Sequence, residues 1–199
     1  SLRAGSVGVV QVAQLALDTP DGTTAAEGVD GRFALDFRKS PGLSLVTVAG
    51  ALLGGEILAG NAYLALPATP VALNLAARQQ GEAGWEIPQF AWDDGDALRV
   101  QGSLRFAADA SLRDADVSLH SRNIEPLRPR YLSGWLGLFG LGGLQLQGAL
   151  SAHLALHGGE VTLAEAQLDD ISLLDAQQRF RFEGLSGKPA YSATTPVSS

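Results

Sequence analysis

Alternation of apolar and other residues at a period of two runs through most of this chain, and it restricts those stretches to β-strands. Leu144, Leu146, Gly148, Leu150, Ala152, Leu154 and Leu156 alternate with Gln145, Gln147, Ala149, Ser151, His153, Ala155 and His157. Successive strand side chains point to opposite faces, so this run predicts one greasy face and one wetted face. It is also longer than the ordinary strand of about 5–6 residues. Leu98, Val100, Leu104 and Phe106 follow the same rule, as do Ala115, Val117 and Leu119, and Phe33, Leu35 and Phe37. Phe180 and Phe182 face away from Arg179, Arg181 and Glu183.

Three strands repeat one template of apolar, any, apolar, any, Gly, any, Leu. They are VTVAGAL (Val46 to Leu52), LRVQGSL (Leu98 to Leu104) and LQLQGAL (Leu144 to Leu150), and FEGL (Phe182 to Leu185) reads as a truncated copy. Each glycine has the parity of the apolar face. A glycine there leaves a gap in the side-chain layer and marks a bulge or sharp bend. Recurrence roughly every 50 residues predicts a quasi-repeat along an elongated sheet. The stretches TPDG (Thr19 to Gly22), DDGD (Asp93 to Asp96), AADA (Ala107 to Ala110) and HGGE (His157 to Glu160) carry turn residues. Such short connections predict an antiparallel meander, because parallel strands need long crossovers.

One segment departs from the pattern. Ile124, Leu127, Tyr131, Leu132, Trp135, Leu136 and Phe139 are spaced as on a helix. Asn123 is a candidate N-cap, Pro126 falls in the first turn, and Gly140, Gly142 and Gly143 end the run. The pattern predicts one amphipathic helix over 123–139. The fold class expected is therefore mainly β, an elongated, curved antiparallel sheet, groove-like and quasi-repeated, with that single helix. Residues 1–185 read as one β-rich groove segment and 186–199, rich in Ser, Thr and Pro, as a disordered tail.

Composition narrows the function. The chain has 199 residues, 46% hydrophobic and 18% charged, with a net charge of -7. Lysine occurs only at 39 and 188, and no basic patch exists for nucleic acid. There is no Cys for a disulfide or thiolate site. The longest uncharged apolar candidate for a spanning helix, Tyr131 to Leu144, is interrupted by Ser133 and five glycines. The absence of Met and of a leader reads as a piece excised from something longer.

Signals for chemistry are weak. His153 and His157 would pair on a helix, but in a strand four residues span about 13 Å. GLFGLGG (Gly137 to Gly143) lacks the lysine of a phosphate loop and follows a helix instead of opening one. Asp93, Asp94 and Asp96 lack the spacing of a calcium loop. Asp114, Asp116, Asp169 and Asp170 lie on or near polar strand faces with no acid–base pairing to argue. No GxSxG elbow exists. The expectation is a protein with no catalytic residues, no metal and no cofactor.

The stretches LRDADVSLHSRNIEPLRPRYL, LDDISLLD and RFRFEGLSG, with the LxxxGxL strand openings, resemble the AsmA-like proteins of Gram-negative envelopes, YdbH-like members in particular. The likeness covers roughly Trp85 to Gly187. It implies a periplasmic segment of a long bridge, anchored in the inner membrane by a helix outside this segment. It also implies a taco-shaped sheet whose apolar face carries phospholipid toward the outer membrane. The expected partners are phospholipid or another acyl-chain lipid, envelope proteins and no nucleic acid, with membrane contact through parts outside this segment.

The candidate lipid-binding groove residues are Leu98, Val100, Leu104, Phe106, Val117, Leu119, Leu144, Leu146, Leu150, Leu154, Leu156, Phe180 and Phe182. Tyr131, Trp135 and Phe139 are the candidate lid or cap. An aliphatic trough suits acyl chains because burial contributes about 25 cal/mol per Å2 without directional partners. Two alternatives stay open: a structural or assembly module of the envelope with a closed apolar core, and a set of outer-membrane barrel strands. Trp85 and Trp92 are too few for the aromatic girdles the barrel wants.

Overall fold

The structure is a computed structural model and describes residues 4–19, 24–59 and 62–193. The alternating runs become strands of one antiparallel sheet, and from residue 71 to residue 187 they lie in chain order across it. The strands β1 (Ala4–Asp18) and β2 (Thr24–Ser40) pair along nearly their whole lengths. Next come β3 (Leu43–Leu53) and β4 (Glu56–Ala59), which share one register against β2 and are separated only by Gly54 and Gly55. Both glycines have positive φ, +60° and +80°, a conformation that side chains other than glycine's rarely adopt. The strands β5 (Ala62–Ala65) and β6 (Val71–Gln80) return along them, with β6 pairing β3 and β5 pairing the short β4.

The meander continues through β7 (Trp85–Asp94), β8 (Leu98–Phe106), β9 (Leu112–Ser121), β10 (Gln145–His157) and β11 (Glu160–Leu174). Along β11 lie β12 (Arg181–Gly187) and β13 (Ala190–Ser192). Among the described residues β1 and β12 do not pair with each other, so the sheet stays open. The fold is mainly β, an antiparallel sheet that curves, as the alternation predicts. The predicted turns at Asp93 to Asp96, Ala107 to Ala110 and His157 to Glu160 connect neighbouring strands. Residues 20–22 of the TPDG turn lie outside the described residues.

The repeated glycines sit where neighbouring backbones crowd the apolar face. A Cβ on Gly102 would lie 2.1 Å from the Asp116 carbonyl oxygen, and one on Gly50 would lie 2.2 Å from that of Arg32. Facing Cβ atoms in an ordinary antiparallel pair are about 4.5–5.5 Å apart. The sheet therefore folds toward its apolar side at these points, and only glycine leaves room for it. Gly148 has φ +112° and faces the Asp169 and Asp170 carbonyls at a register shift between β10 and β11, a bulge.

Two predicted boundaries move. The helix does not run over 123–139. A wide π-type turn, Arg128–Leu132, leads into a short α-helix α1, Ser133–Leu138. Asn123 is not its cap: its Oδ1 accepts a hydrogen bond from the Glu125 N–H at 3.1 Å, forming a local turn. Glu125 precedes Pro126, a position that disfavours helical backbone. The end of α1 follows the glycine signal. Gly140, at φ +67°, donates to the Gly137 carbonyl, and the Leu141 N–H reaches the Leu136 carbonyl at 2.7 Å, a Schellman closure.

The second correction concerns the tail. Ser186 and Gly187 belong to β12, and Ala190–Ser192 pairs with Leu163–Glu165. The outer edge of β11 supplies backbone partners that a Ser/Thr/Pro-rich composition does not reveal. Residues 194–199 of that tail lie outside the described residues.

The bends give a direct test. Gly102→Ala should destabilise the fold by about 2 kcal/mol or more, the range for backbone strain and overpacking. Gly8, in β1, has nothing within 4 Å of its would-be Cβ. Gly8→Ala should stay within about 0.5 kcal/mol of the parent. Urea unfolding of both variants makes the comparison.

Candidate functional site

Register turns the alternation into continuous rows across the sheet. Phe33, Gly50, Leu73, Trp92, Val100, Leu119 and Ala152 face one another from β2 to β10. One step along, Leu35, Val48, Leu75, Phe90, Gly102, Val117 and Leu154 form a second row. Neither contains a charge. The opposite face carries exposed pairs such as Arg78–Glu86 and Arg105–Asp114. His153 and His157 lie there beside Asp116 and Asp114, at 3.2 and 2.7 Å. Ion pairs this exposed contribute about 0–1 kcal/mol each.

Among the described residues the apolar face is closed at one end only. There Leu98, Ile124, Leu127, Leu144, Leu146 and Ile171 are buried together under the helical segment, with Tyr131, Leu132, Leu136 and Leu141 packed on them. A smaller cluster, Val29, Leu66 and Val71, adjoins it through Trp92, and the helical segment also packs on β5. Away from this end the face is only half-buried, and Leu154 is 38% exposed.

The candidate groove residues therefore divide. Leu98, Leu144 and Leu146 are core beneath the cap, not open lining. Val100, Leu119, Leu150 and Phe180 pack at its border. Leu104, Phe106, Val117 and Leu156 are half-buried beyond it, while Leu154 and Phe182 are exposed. Phe182 rests on Phe180 with ring centres 5.8 Å apart.

The cap residues divide too. Tyr131 points inward, but Trp135 and Phe139 are 47% and 71% exposed. The predicted helical stripe assumed one unbroken α-helix. The π-type turn shifts the phase of all that follows. Leu132 and Leu136 then meet the sheet, and Trp135 and Phe139 turn to solvent.

A polar latch absent from the sequence reading holds the cap. Asp94, 5% exposed at the end of β7, accepts from Arg130 Nη1 at 2.8 Å on both oxygens and from the Tyr131 hydroxyl at 2.8 Å. That hydroxyl accepts from Trp92 Nε1 at 3.0 Å, and the two rings meet edge to face at 6.4 Å. Burial, above all, pushes the Tyr131 hydroxyl far above its ordinary value, so it stays a donor to Asp94. The only sequence hint was one aspartate among three in a turn, with its partners 36 and 37 residues away.

A second clasp ties the glycine-rich end of the cap to the β11–β12 turn. Asp175 accepts from Arg179 Nε and Nη2 at 2.8 Å, and Arg179 Nη2 also reaches the Gly140 carbonyl. The hydrogen bonds from Arg179 hold the Asp175 carboxyl at about 2, below its ordinary value of 3.8. The described residues include no group of three or more His, Cys, Asp or Glu able to hold a metal. No helix among them is long and apolar enough to cross a membrane. Compared with family models, curated proteins and solved structures, the chain matches none.

Both fastenings are testable. Asp94→Ala strands the Arg130 charge and should cost about 3 kcal/mol. It should also expose the cluster beneath the cap, read as dye binding and raised hydrogen exchange of residues 127–144. For Asp175 the folded carboxyl is depressed, so its stabilisation is present above about pH 4. It is lost as pH falls toward about 2. Asp175→Asn should flatten the acid limb of stability over that window, measured by thermal melts against pH.

Proposed function

We propose that this chain is a periplasmic segment of an AsmA-like bridge between the two membranes of a Gram-negative envelope. In this reading, phospholipid acyl chains travel along its apolar face. The observation that carries the reading is the uncovered part of that face. Two uncharged rows cross seven strands, yet among the described residues only one end is capped by protein. A sheet face this greasy, left half-open, loses hydrophobic stabilisation unless something fills it. An alkyl chain is a suitable filler, since it needs area and no hydrogen-bond partners.

The uncharged rows also suit movement. A chain sliding along Val117, Leu154 and Leu156 meets neither a charge to cross nor a deep pocket to escape. The cap supports a direction of threading away from its own end, because Leu98, Leu144 and Leu146 already fill the space there.

Mass spectrometry of an organic extract of the natively purified protein tests the reading, and phospholipid in stoichiometric amount is the expected result. Leu154→Glu, on the open part of the face, should leave the protein folded and remove that lipid. Leu146→Glu, beneath the cap, should unfold it instead. A parent protein free of lipid, or a folded Leu154→Glu variant that keeps it, overturns the proposal.

A further inference from the structure

The geometry points to a second apolar feature with a different occupant: we infer that the outer surface of the cap docks onto the interfacial layer of a phospholipid bilayer. Trp135, Leu138 and Phe139 project from α1 and are 47%, 69% and 71% exposed. They lie on one short helix and its C-cap, so they form one patch. The turn that follows is closed by its own backbone, with Gly140 and Leu141 bonded back to Gly137 and Leu136. The patch is therefore held in shape and not hanging loose.

Two features select a bilayer over a protein partner or water. The first is composition. From Tyr131 to Gly159 the chain carries no Asp, Glu, Lys or Arg. The tip thus pairs a tryptophan with leucine and phenylalanine and no charge to desolvate. Tryptophan with an apolar body and a polar N–H favours the membrane–water boundary. The second is the placement of cations at its base. Arg128 Nη1 donates to the Gly142 carbonyl and Arg179 Nη2 to the Gly140 carbonyl, each at 2.8 Å.

Two guanidinium groups therefore border the apolar tip on its glycine-rich side. Phosphate groups lie at that level when such a tip enters the headgroup region. Asp94 is already engaged by Arg130, and Asp175 offsets the charge of Arg179, so Arg128 is the cation of the pair left for a phosphate. Among the described residues Arg128 forms no ion pair, so it keeps donors for a lipid phosphate. The net charge of -7 resides on the rest of the chain and limits the attraction to the tip itself. Docking would set the capped end of the sheet at a bilayer surface.

Flotation of the full chain with phosphatidylcholine vesicles, with and without phosphatidylglycerol, reads the interaction. The parent protein should float with both. Acyl chains brominated near the headgroup should quench its tryptophan fluorescence, and Trp135→Phe should abolish most of that quenching. Leu138→Ser with Phe139→Ser should weaken binding about tenfold or more, as expected for two large apolar side chains left in water. Because both side chains are exposed, the melting temperature should hold. Arg128→Gln should lower binding mainly to the phosphatidylglycerol vesicles, and added salt should do the same.

Failure of the parent to float, or undiminished flotation of the double variant, overturns the inference. So does lipid-free self-association that the double variant abolishes, which would make a second copy the occupant. Lipid extracted from the double variant separates this from the trough. Normal co-purified lipid with lost flotation supports the tip alone, and flotation without co-purified lipid leaves the tip standing while the conduit falls.

Discussion

A one-layer sheet with a single apolar face has to hide that face or find something to put on it, and the shape of this molecule follows from how incompletely it hides it. The sheet is wide, most of its strands pair with their neighbours in sequence, and among the described residues one short helical segment lies across it. Apart from Ala97 and Ala115, the buried hydrophobic side chains accordingly gather in two adjoining clusters near that segment. Elsewhere the sheet relies on its own curvature. Glycines 50, 102 and 148 let neighbouring backbones close to distances that any side chain would block, so the face folds toward itself without being sealed.

The capped end works differently from the open part. Hydrophobic packing under the helical segment is non-directional and would tolerate sliding of a segment this short. The Asp94, Arg130, Tyr131 and Trp92 network supplies direction, with each donor matched to an acceptor in a dry setting. Arg179 and Arg128 fasten the glycine-rich exit in the same way. The cap is thereby bound in register to both β7 and the β11–β12 turn. That rigidity is what leaves Trp135, Leu138 and Phe139 facing outward as a defined surface.

The proposed conduit and the proposed membrane contact use the two sides of this arrangement. One depends on what the sheet leaves uncovered, the other on what the cap turns away from the sheet. They share no residue, and neither requires the other.

Much of this was legible one strand at a time. Strand parity is a local property, so the runs at Leu98 to Phe106 and Leu144 to Leu156 declared their faces, and the glycine template declared the bends. The Gly140 stop was legible because a left-handed residue after a helix is a local backbone event. Phase through the cap was not, since a π-type turn is set by what Tyr131 and Arg130 must reach on β7. Nor was the pairing of Ala190–Ser192, which depends on a free edge of β11 and not on its own composition. By itself the sequence determined an antiparallel, one-sided, bending sheet, because periodicity and glycine act within a few residues. Only the tertiary structure decided that Leu98, Leu144 and Leu146 are core, that Leu154 is open, and that Trp135 and Phe139 face out. Burial is a property of what lies across the face, and that is set by contacts between residues far apart in the chain.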